Sequence, residues 1–405
     1  MNILMIDQYA GSPRMGMELR PFELCYEWNR LGCRTRIVAG SWSHLRRMNP
    51  RQTAKPFCCQ ESGVEFLLLP TPPYRGNGIG RAENVFAFAR GLWRVRRILA
   101  KEFSPDAVIV SSTHPFDYRA ASAAARLAGA KTVFELHDIW PLSLCELHGY
   151  QPGHPLMRLI DGECRRAFSH CDLVASILPR GEQYLQNRKI PFQNYALFPN
   201  GVSCSGTSLP PAKIVSALTS HRARYGSLVL YAGGSARANC MDDLVCLARE
   251  CPEIGFAAIG GKGTPLPGAP ENLIAVSSVE HGQLGVLLAM GDVLWLGTKP
   301  YEVYRYGVAM NKLFDYLASA RPVIFSCACR ENPVSLSGGG ITVPAGDMIQ
   351  TAGALRDLLR LSDDERNAMG RRGHDYVWKC HRYSVIAKDY LKRLEELCHA
   401  SARFV

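Results

Sequence analysis

The chain has 405 residues, 47% hydrophobic and 20% charged, enough to build two or three compact units, each with its own core. Its 25 Pro and 36 Gly are close to ordinary usage, which excludes disordered and collagen-like classes. Lys and Arg exceed Asp and Glu by 47 to 36, and the net charge of +11 favours anionic partners without choosing among nucleic acid, acidic lipid and phosphorylated substrates.

The opening Ile3-Leu4-Met5-Ile6 runs directly into polar Asp7-Gln8, so a buried strand is expected there rather than a secretory leader. Apolar Leu19, Phe22, Leu24, Tyr26 and Leu31 predict a helix over 19–31 that stops at Gly32. Strands follow at 36–39 and 64–69, the second closed by Pro70, Pro72 and Pro73. A basic helix is expected over 82–102, then a strand at 107–110, a helix at 118–127, and strands at 131–135, 173–177 and 195–198. Strands alternating with helices in this way imply a parallel sheet with helices on both faces. Pro199-Asn200-Gly201 closes the series, and residues 203–211, rich in Ser, Gly and Pro, read as a linker. The same grammar restarts at 228–231, 255–259, 273–276, 292–296 and 322–325, and an amphipathic helix over 384–397 ends it. No apolar run approaches the roughly 18–20 residues needed to span a bilayer, so no transmembrane helix is expected. The 15 Cys are odd in number and scattered, as in a reduced protein. Cys58-Cys59 and Cys327 with Cys329 are the closest pairs, and they read as buried thiols rather than zinc ligands.

Ligands of open α/β sheets sit at the carboxyl ends of strands, where the strand order switches. The loop after the first strand of each half is therefore the place to look. In the first half Gly16, near a helix start, can offer amides to an anion; in the second, Gly233-Gly234 follows the strand. Neither loop has the spacing of a dinucleotide fingerprint or a Walker loop. The stretch 304–324 says more. A glycine-containing loop enters a short helix at Asn311-Lys312 that stops before Pro322. Amides at that helix start, with the Lys312 ammonium, suit a diphosphate. Asp315, one turn on, suits two ribose hydroxyls, or serves simply as a solvated or dipole-complementing helix residue. In the basic stretch 90–99, Leu92, Val95 and Leu99 fit an inner helix face with arginines outside. The alternative reading there is a membrane-surface patch with Trp93 at the headgroups. No nucleic-acid recognition module is visible.

Asn311-Lys312-Leu313-Phe314-Asp315-Tyr316-Leu317-Ala318 with Arg321-Pro322-Val323-Ile324, and Gln8-Tyr9-Ala10-Gly11-Ser12-Pro13 with Gly16-Met17-Glu18-Leu19-Arg20, are two ordered motifs. His137-Asp138 with Trp140-Pro141, and Pro199-Asn200-Gly201-Val202, are two more. Together they make the chain resemble, over nearly its whole length, the retaining GT-B-fold glycosyltransferases of family four. The likeness is especially to the branch that builds bacterial cell-surface polysaccharides such as O-antigen and capsule. The resemblance implies an α/β fold of two doubly wound Rossmann-like domains facing a central cleft. Residues 1–203 would form the acceptor-side domain and 204–383 the nucleotide-sugar domain. Residues 384–405 would be a helix packing back on the first domain. It also implies residue roles. Asp315 stands for the second glutamate of the family's pair and binds the donor ribose; the first glutamate falls at Gly307 and is absent. Gly16 offers its amide to the donor phosphates, and His137 touches the donor sugar. Gly233, Gly234 and Arg237 present the diphosphate loop, although the usual basic position falls nearer Asn239. The nucleotide base packs at Val279-Glu280-His281.

The expected function is transfer, with retention, of a hexose or N-acetylhexosamine from a nucleotide sugar, UDP-linked before GDP-linked. The acceptor would be a glycan or a lipid-diphosphate-linked glycan. His137, Arg237 and Lys312 are the expected catalytic residues. Gly16, Gly233, Gly234, Val279, Asn311 and Asp315 are assigned to the donor, and Glu18 and Arg20 to the acceptor side. With no Asp-x-Asp pair in a suitable context, neither a metal nor another cofactor is expected. Two alternatives are a sugar-nucleotide epimerase on the same scaffold and a GT-B module that binds nucleotide or glycan without transfer. A cytoplasmic location fits, with peripheral attachment to the inner membrane face where the acceptor is lipid-linked.

Overall fold

Ile3, Leu4, Met5 and Ile6 are completely buried, and such an unbroken apolar run is what a parallel strand covered on both faces requires. A computed structural model describes residues 1–76, 78–203, 208–234 and 240–402. The chain divides into two units, Met1–Pro199 with the closing stretch from Tyr383, and Asn200–Arg382.

The first unit contains β1 (Asn2–Ile6), α1 (Arg20–Arg30), β2 (Arg34–Gly40), β3 (Phe57–Glu61), β4 (Val64–Leu69), α2 (Ile79–Ile98), β5 (Ala107–Val110) and α3 (Tyr118–Ala128). It continues through β6 (Lys131–Leu136), α4 (Leu142–His148), α5 (Pro155–His170), β7 (Leu173–Ser176), α6 (Gly181–Asn187) and β8 (Tyr195–Leu197). The sheet order is β3-β4-β2-β1-β5-β6-β7-β8. All neighbours are parallel except β3 and β4, an antiparallel hairpin turning at Ser62-Gly63, both with positive φ. The sequence reading had no strand at 57–61. Phe57-Cys58-Cys59-Gln60-Glu61 is an edge strand whose alternation turns Cys58 to solvent, so that thiol is exposed rather than buried as expected. Cys327 and Cys329 are buried. The basic helix expected over 82–102 is α2 followed by one wider π-type turn, Leu99–Phe103, with Leu92, Val95 and Leu99 facing inward.

The second unit contains α7 (Ala212–Tyr225), β9 (Leu228–Ala232), α8 (Met241–Glu250), β10 (Gly255–Ile259), β11 (Leu273–Val276), α9 (His281–Leu288) and β12 (Val293–Gly297). It goes on with α10 (Asn311–Ala318), β13 (Val323–Ser326), α11 (Pro333–Ser337), β14 (Gly340–Val343), α12 (Met348–Arg360) and α13 (Asp363–Cys380). Its six strands are all parallel in the order β11-β10-β9-β12-β13-β14. The order therefore reverses direction around β1 in one unit and around β9 in the other, which marks the carboxyl ends of those strands as ligand positions.

The last helix, α14 (Tyr383–Ala402), returns to the first unit and packs on α1. The fully buried Trp28 indole donates to the Ala387 carbonyl at 2.9 Å and meets the Tyr390 ring edge-on, 5.4 Å between centroids. Tyr390 in turn stacks on Phe198 at 3.9 Å.

Candidate functional site

In the first unit, polar side chains gather beyond β1, β5 and β6. Residues two apart on a strand share a face, so Glu135, inside the end of β6, and His137, just past it, point the same way. His137 Nε2 lies 3.0 Å from a Glu135 carboxylate oxygen and 3.0 Å from the Ser111 hydroxyl, which itself donates to Glu135 at 2.5 Å. Arg20, the first residue of α1, closes the cluster from below. Its guanidinium is 3.0 Å from Glu135 and donates to the Phe198 and Pro199 carbonyls at 2.9 Å each. Both members of this ion pair are buried, Arg20 at 2% exposure and Glu135 at 0%.

Burial alone would raise the Glu135 carboxyl, but Arg20 and His137 hold it well below the usual carboxylate range. Burial alone would lower His137, yet the Glu135 hydrogen bond and charge bring it above its ordinary value. The protonated ring is thus favoured and oriented through Nε2, and contact with a ligand has to come from its Nδ1 side. Two further carboxyls stand near. Burial, then the Glu18 charge, pushes Asp7 up to about 7, and burial also raises Glu18.

Two expected roles change here. Arg20 was assigned to the acceptor side; it is instead interior, committed to Glu135 and two carbonyls, because the start of α1 directs it between β6 and β8. Gly16 was expected to offer its amide to phosphate. At φ +93° it closes a turn in which that amide donates to the Ser12 carbonyl at 2.7 Å, so the turn would have to open first. Glu18 stands partly buried beside this turn.

The second unit brings the other residues together. Tyr231 is next to last in β9, and the loop Gly233-Gly234 follows Ala232. The Gly233 amide donates to Ile259, at the end of β10, at 2.9 Å. Lys312, on the first turn of α10, donates to the Tyr231 hydroxyl at 3.1 Å, with its ammonium 5.0 Å from the centre of that ring. A Cβ on Gly233 would stand 2.7 Å from the Lys312 ammonium, so glycine is what lets loop and cation approach. Burial pushes Lys312 down to about 8. Asn311 is exposed at the start of α10, where first-turn amides lack intrahelical acceptors. Asn200, of the Pro-Asn-Gly motif, donates to the Ala309 carbonyl at 2.8 Å and steadies the loop leading into that helix.

Asp315, one turn further along α10, lies 3.3 Å from His281 Nε2 at the start of α9. The two share a depression of about 380 Å³ whose wall includes Ser203, Gly282 and Trp378. Val279 is half-buried between β11 and α9. Arg237 and Asn239 lie outside the described residues.

Residues 15–201 match the family model of the glycosyl transferase 4-like domain. Whole-chain structural likenesses extend the comparison. The sucrose-phosphate synthase (tll1590) of Thermosynechococcus elongatus has a TM-score of 0.72 at 16% identity, covering 98% of this chain and 99% of that one. Anabaena Alr3699/HepE in complex with UDP and glucose has a TM-score of 0.63 at 12% identity, with 98% and 99% covered. An α,α-trehalose 6-phosphate synthase from Burkholderia multivorans has 0.63 at 15% identity, with the same coverage. None of the curated proteins compared with the chain matches it in sequence. The α/β fold of two parallel-sheet domains, with GT-B neighbours, is the one expected.

Sequence reasoning missed Glu135, Ser111 and Tyr231. A signal existed for Glu135, since Glu135-Leu136-His137 at a strand end puts both ionisable groups on one face. For Tyr231 and Ser111 there was none, because their partners are far away in the chain.

Proposed function

We propose that the protein is a glycosyltransferase that moves a hexose or N-acetylhexosamine from a UDP-sugar to a glycan or lipid-linked acceptor, with retention and without a metal. The observation that carries the reading is the second-unit group in which Gly233-Gly234, Lys312 and the start of α10 converge, with Asp315 one helical turn on. Fixed amides and a half-buried ammonium stabilise the charge that grows on a departing diphosphate without having to reorganise. Asp315 accepts ribose hydroxyls, and His137, oriented by Glu135, donates to the reacting sugar. The domain match over residues 15–201 and the UDP held by a structural neighbour support the same reading.

A thermal-shift screen over UDP-, GDP- and other nucleotide sugars, followed by transfer assays on the donor that stabilises most, tests it. A stabilising donor that is neither hydrolysed nor transferred across an acceptor panel would sink it. The transfer rate is expected to be unchanged by EDTA. Asp315→Ala is expected to weaken UDP binding about 10–100-fold. His137→Ala should leave UDP affinity alone and lower turnover roughly 100-fold or more. Unchanged affinity in the first variant, or unchanged turnover in the second, removes that residue from the site.

Lys312 adds a pH dependence. Only the ammonium attracts a diphosphate, and in the free protein it begins to lose its proton near 8. UDP affinity should therefore be flat below about pH 8 and fall by up to about tenfold per pH unit above it. Lys312→Arg, which stays charged, should flatten the profile. Calorimetric titrations at several pH values would show this, and a flat wild-type profile would contradict the role.

A further inference from the structure

We propose that the outer face of α2 is a docking surface for an anionic phospholipid bilayer, on which the helix lies flat. The inner face of α2 is spent on the core, with Phe88 and Leu92 fully buried and Val85 and Val95 nearly so. The outer face carries Ile79, Phe86 and Trp93, which are 81%, 51% and 47% exposed, and Ile98 at 52%. Ile79, Phe86 and Trp93 are seven residues apart, about two helical turns, and so form one stripe along the helix. Four large apolar side chains left in water on one helix are not ordinary surface scatter.

The charges beside the stripe indicate what covers it. The helix holds five arginines and one acid, Glu83. Arg81 turns inward to the Tyr9 hydroxyl, while Arg90, Arg94 and Arg97 are exposed along the stripe. The Arg96 guanidinium lies 4.0 Å over the Trp93 ring, an arrangement that suits the level of the lipid headgroups. Along the same face, a groove of about 860 Å³ runs between Ile79, Phe86 and Ala87 of the helix and Pro70, Thr71 and Pro72 after β4. Its charged lining is Arg90 and Glu83, and the apolar recess beside Arg90 fits an acyl chain with its phosphate. Nucleic acid would leave the isoleucines and Phe86 unused, and a bilayer uses both halves of the pattern. No helix among the described residues is long and apolar enough to cross a membrane, so the contact is interfacial. None of these residues belongs to the nucleotide group of the second unit, so this surface stands or falls apart from the transfer reading.

The test is cosedimentation of the full chain with vesicles at about 0.15 M salt, comparing phosphatidylcholine alone with roughly three parts phosphatidylcholine to one of phosphatidylglycerol. The protein should pellet with the anionic vesicles and stay in solution with the neutral ones. Reversing Arg90, Arg94 and Arg97 to Glu should weaken binding by about 100-fold or more. Ile79→Ser with Phe86→Ser and Trp93→Ser should also abolish it, with the melting temperature and UDP-induced stabilisation kept. The proposal is overturned if wild type ignores anionic vesicles, or if the charge-reversed protein binds them equally. It is also overturned if wild type is a dimer in solution that the serine variant makes monomeric, because a second copy would then cover the face.

Discussion

Glu135→Ala is expected to destabilise the protein by about 3–5 kcal/mol, because it strands the buried Arg20 guanidinium without its counter-charge. The effect should be seen as a lower midpoint in urea with little change in slope. The neighbouring carbonyls of Phe198 and Pro199 still accept from Arg20, but carbonyl dipoles do not neutralise a full charge. Replacing both partners with apolar residues, Arg20→Met with Glu135→Leu, should recover most of the loss, since no orphaned ion remains. A single substitution as mild as the double one would mean that the pair is not buried in solution.

The pH dependence gives a second readout. The folded value of Glu135 is depressed, so its contribution is complete above the ordinary carboxylate range near 4.3 and is lost as the pH falls toward the folded value. The folded value of His137 is raised, so its contribution is complete below about 6.5 and is lost as the pH rises through the folded value. Glu135→Ala should flatten both limbs of the stability profile. His137→Ala should flatten the alkaline limb and lessen the acidic one, where Arg20 still holds Glu135 down.

Trp28→Ala is the other change with a large expected cost, about 3–5 kcal/mol, from the lost ring and the cavity left between α1 and α14. Unlike a substitution elsewhere in the core, it should also loosen α14, because the indole holds both the Ala387 carbonyl and the Tyr390 ring. Hydrogen exchange should therefore quicken at amides of α14 before those of the sheet. Equal acceleration throughout the first unit would show that the helix is not held by this residue. Trp28→Phe, which keeps most of the ring but not the indole donor, should lose less.

The parallel strands were the most legible part of the chain. β1, β5, β9, β12 and β13 are buried on both faces and read as unbroken apolar runs. β3 was not legible: an edge strand has only one face to bury, and Cys58 and Gln60 interrupt its apolar signal. β14 opens on Gly340, which the backbone needs because a Cβ there would stand 1.9 Å from the Val323 carbonyl oxygen. That requirement arises across the sheet and leaves no mark on the local pattern. The site divides in the same way. Lys312 and Asp315 are one turn apart on α10, so a motif could carry them together. Arg20 reads locally as an exposed basic residue at a helix start, and only its pairing with Glu135, 115 residues away, makes it interior. Asn200 was recognisable as part of a motif, but its hold on Ala309 was not.

The return of α14 to the first unit has a consequence for synthesis. The sheet of that unit is complete once β8 has been made, but Trp28 stays uncovered until Tyr383 and the residues after it appear. The roughly 180 residues between Pro199 and Tyr383 take about 10–40 s to translate at about 5–20 residues per second. For that interval the nascent chain carries an open apolar seam on its earliest-made half while the second unit is still emerging. The half made first is therefore the last to be finished, and chaperones have a defined surface to guard until then.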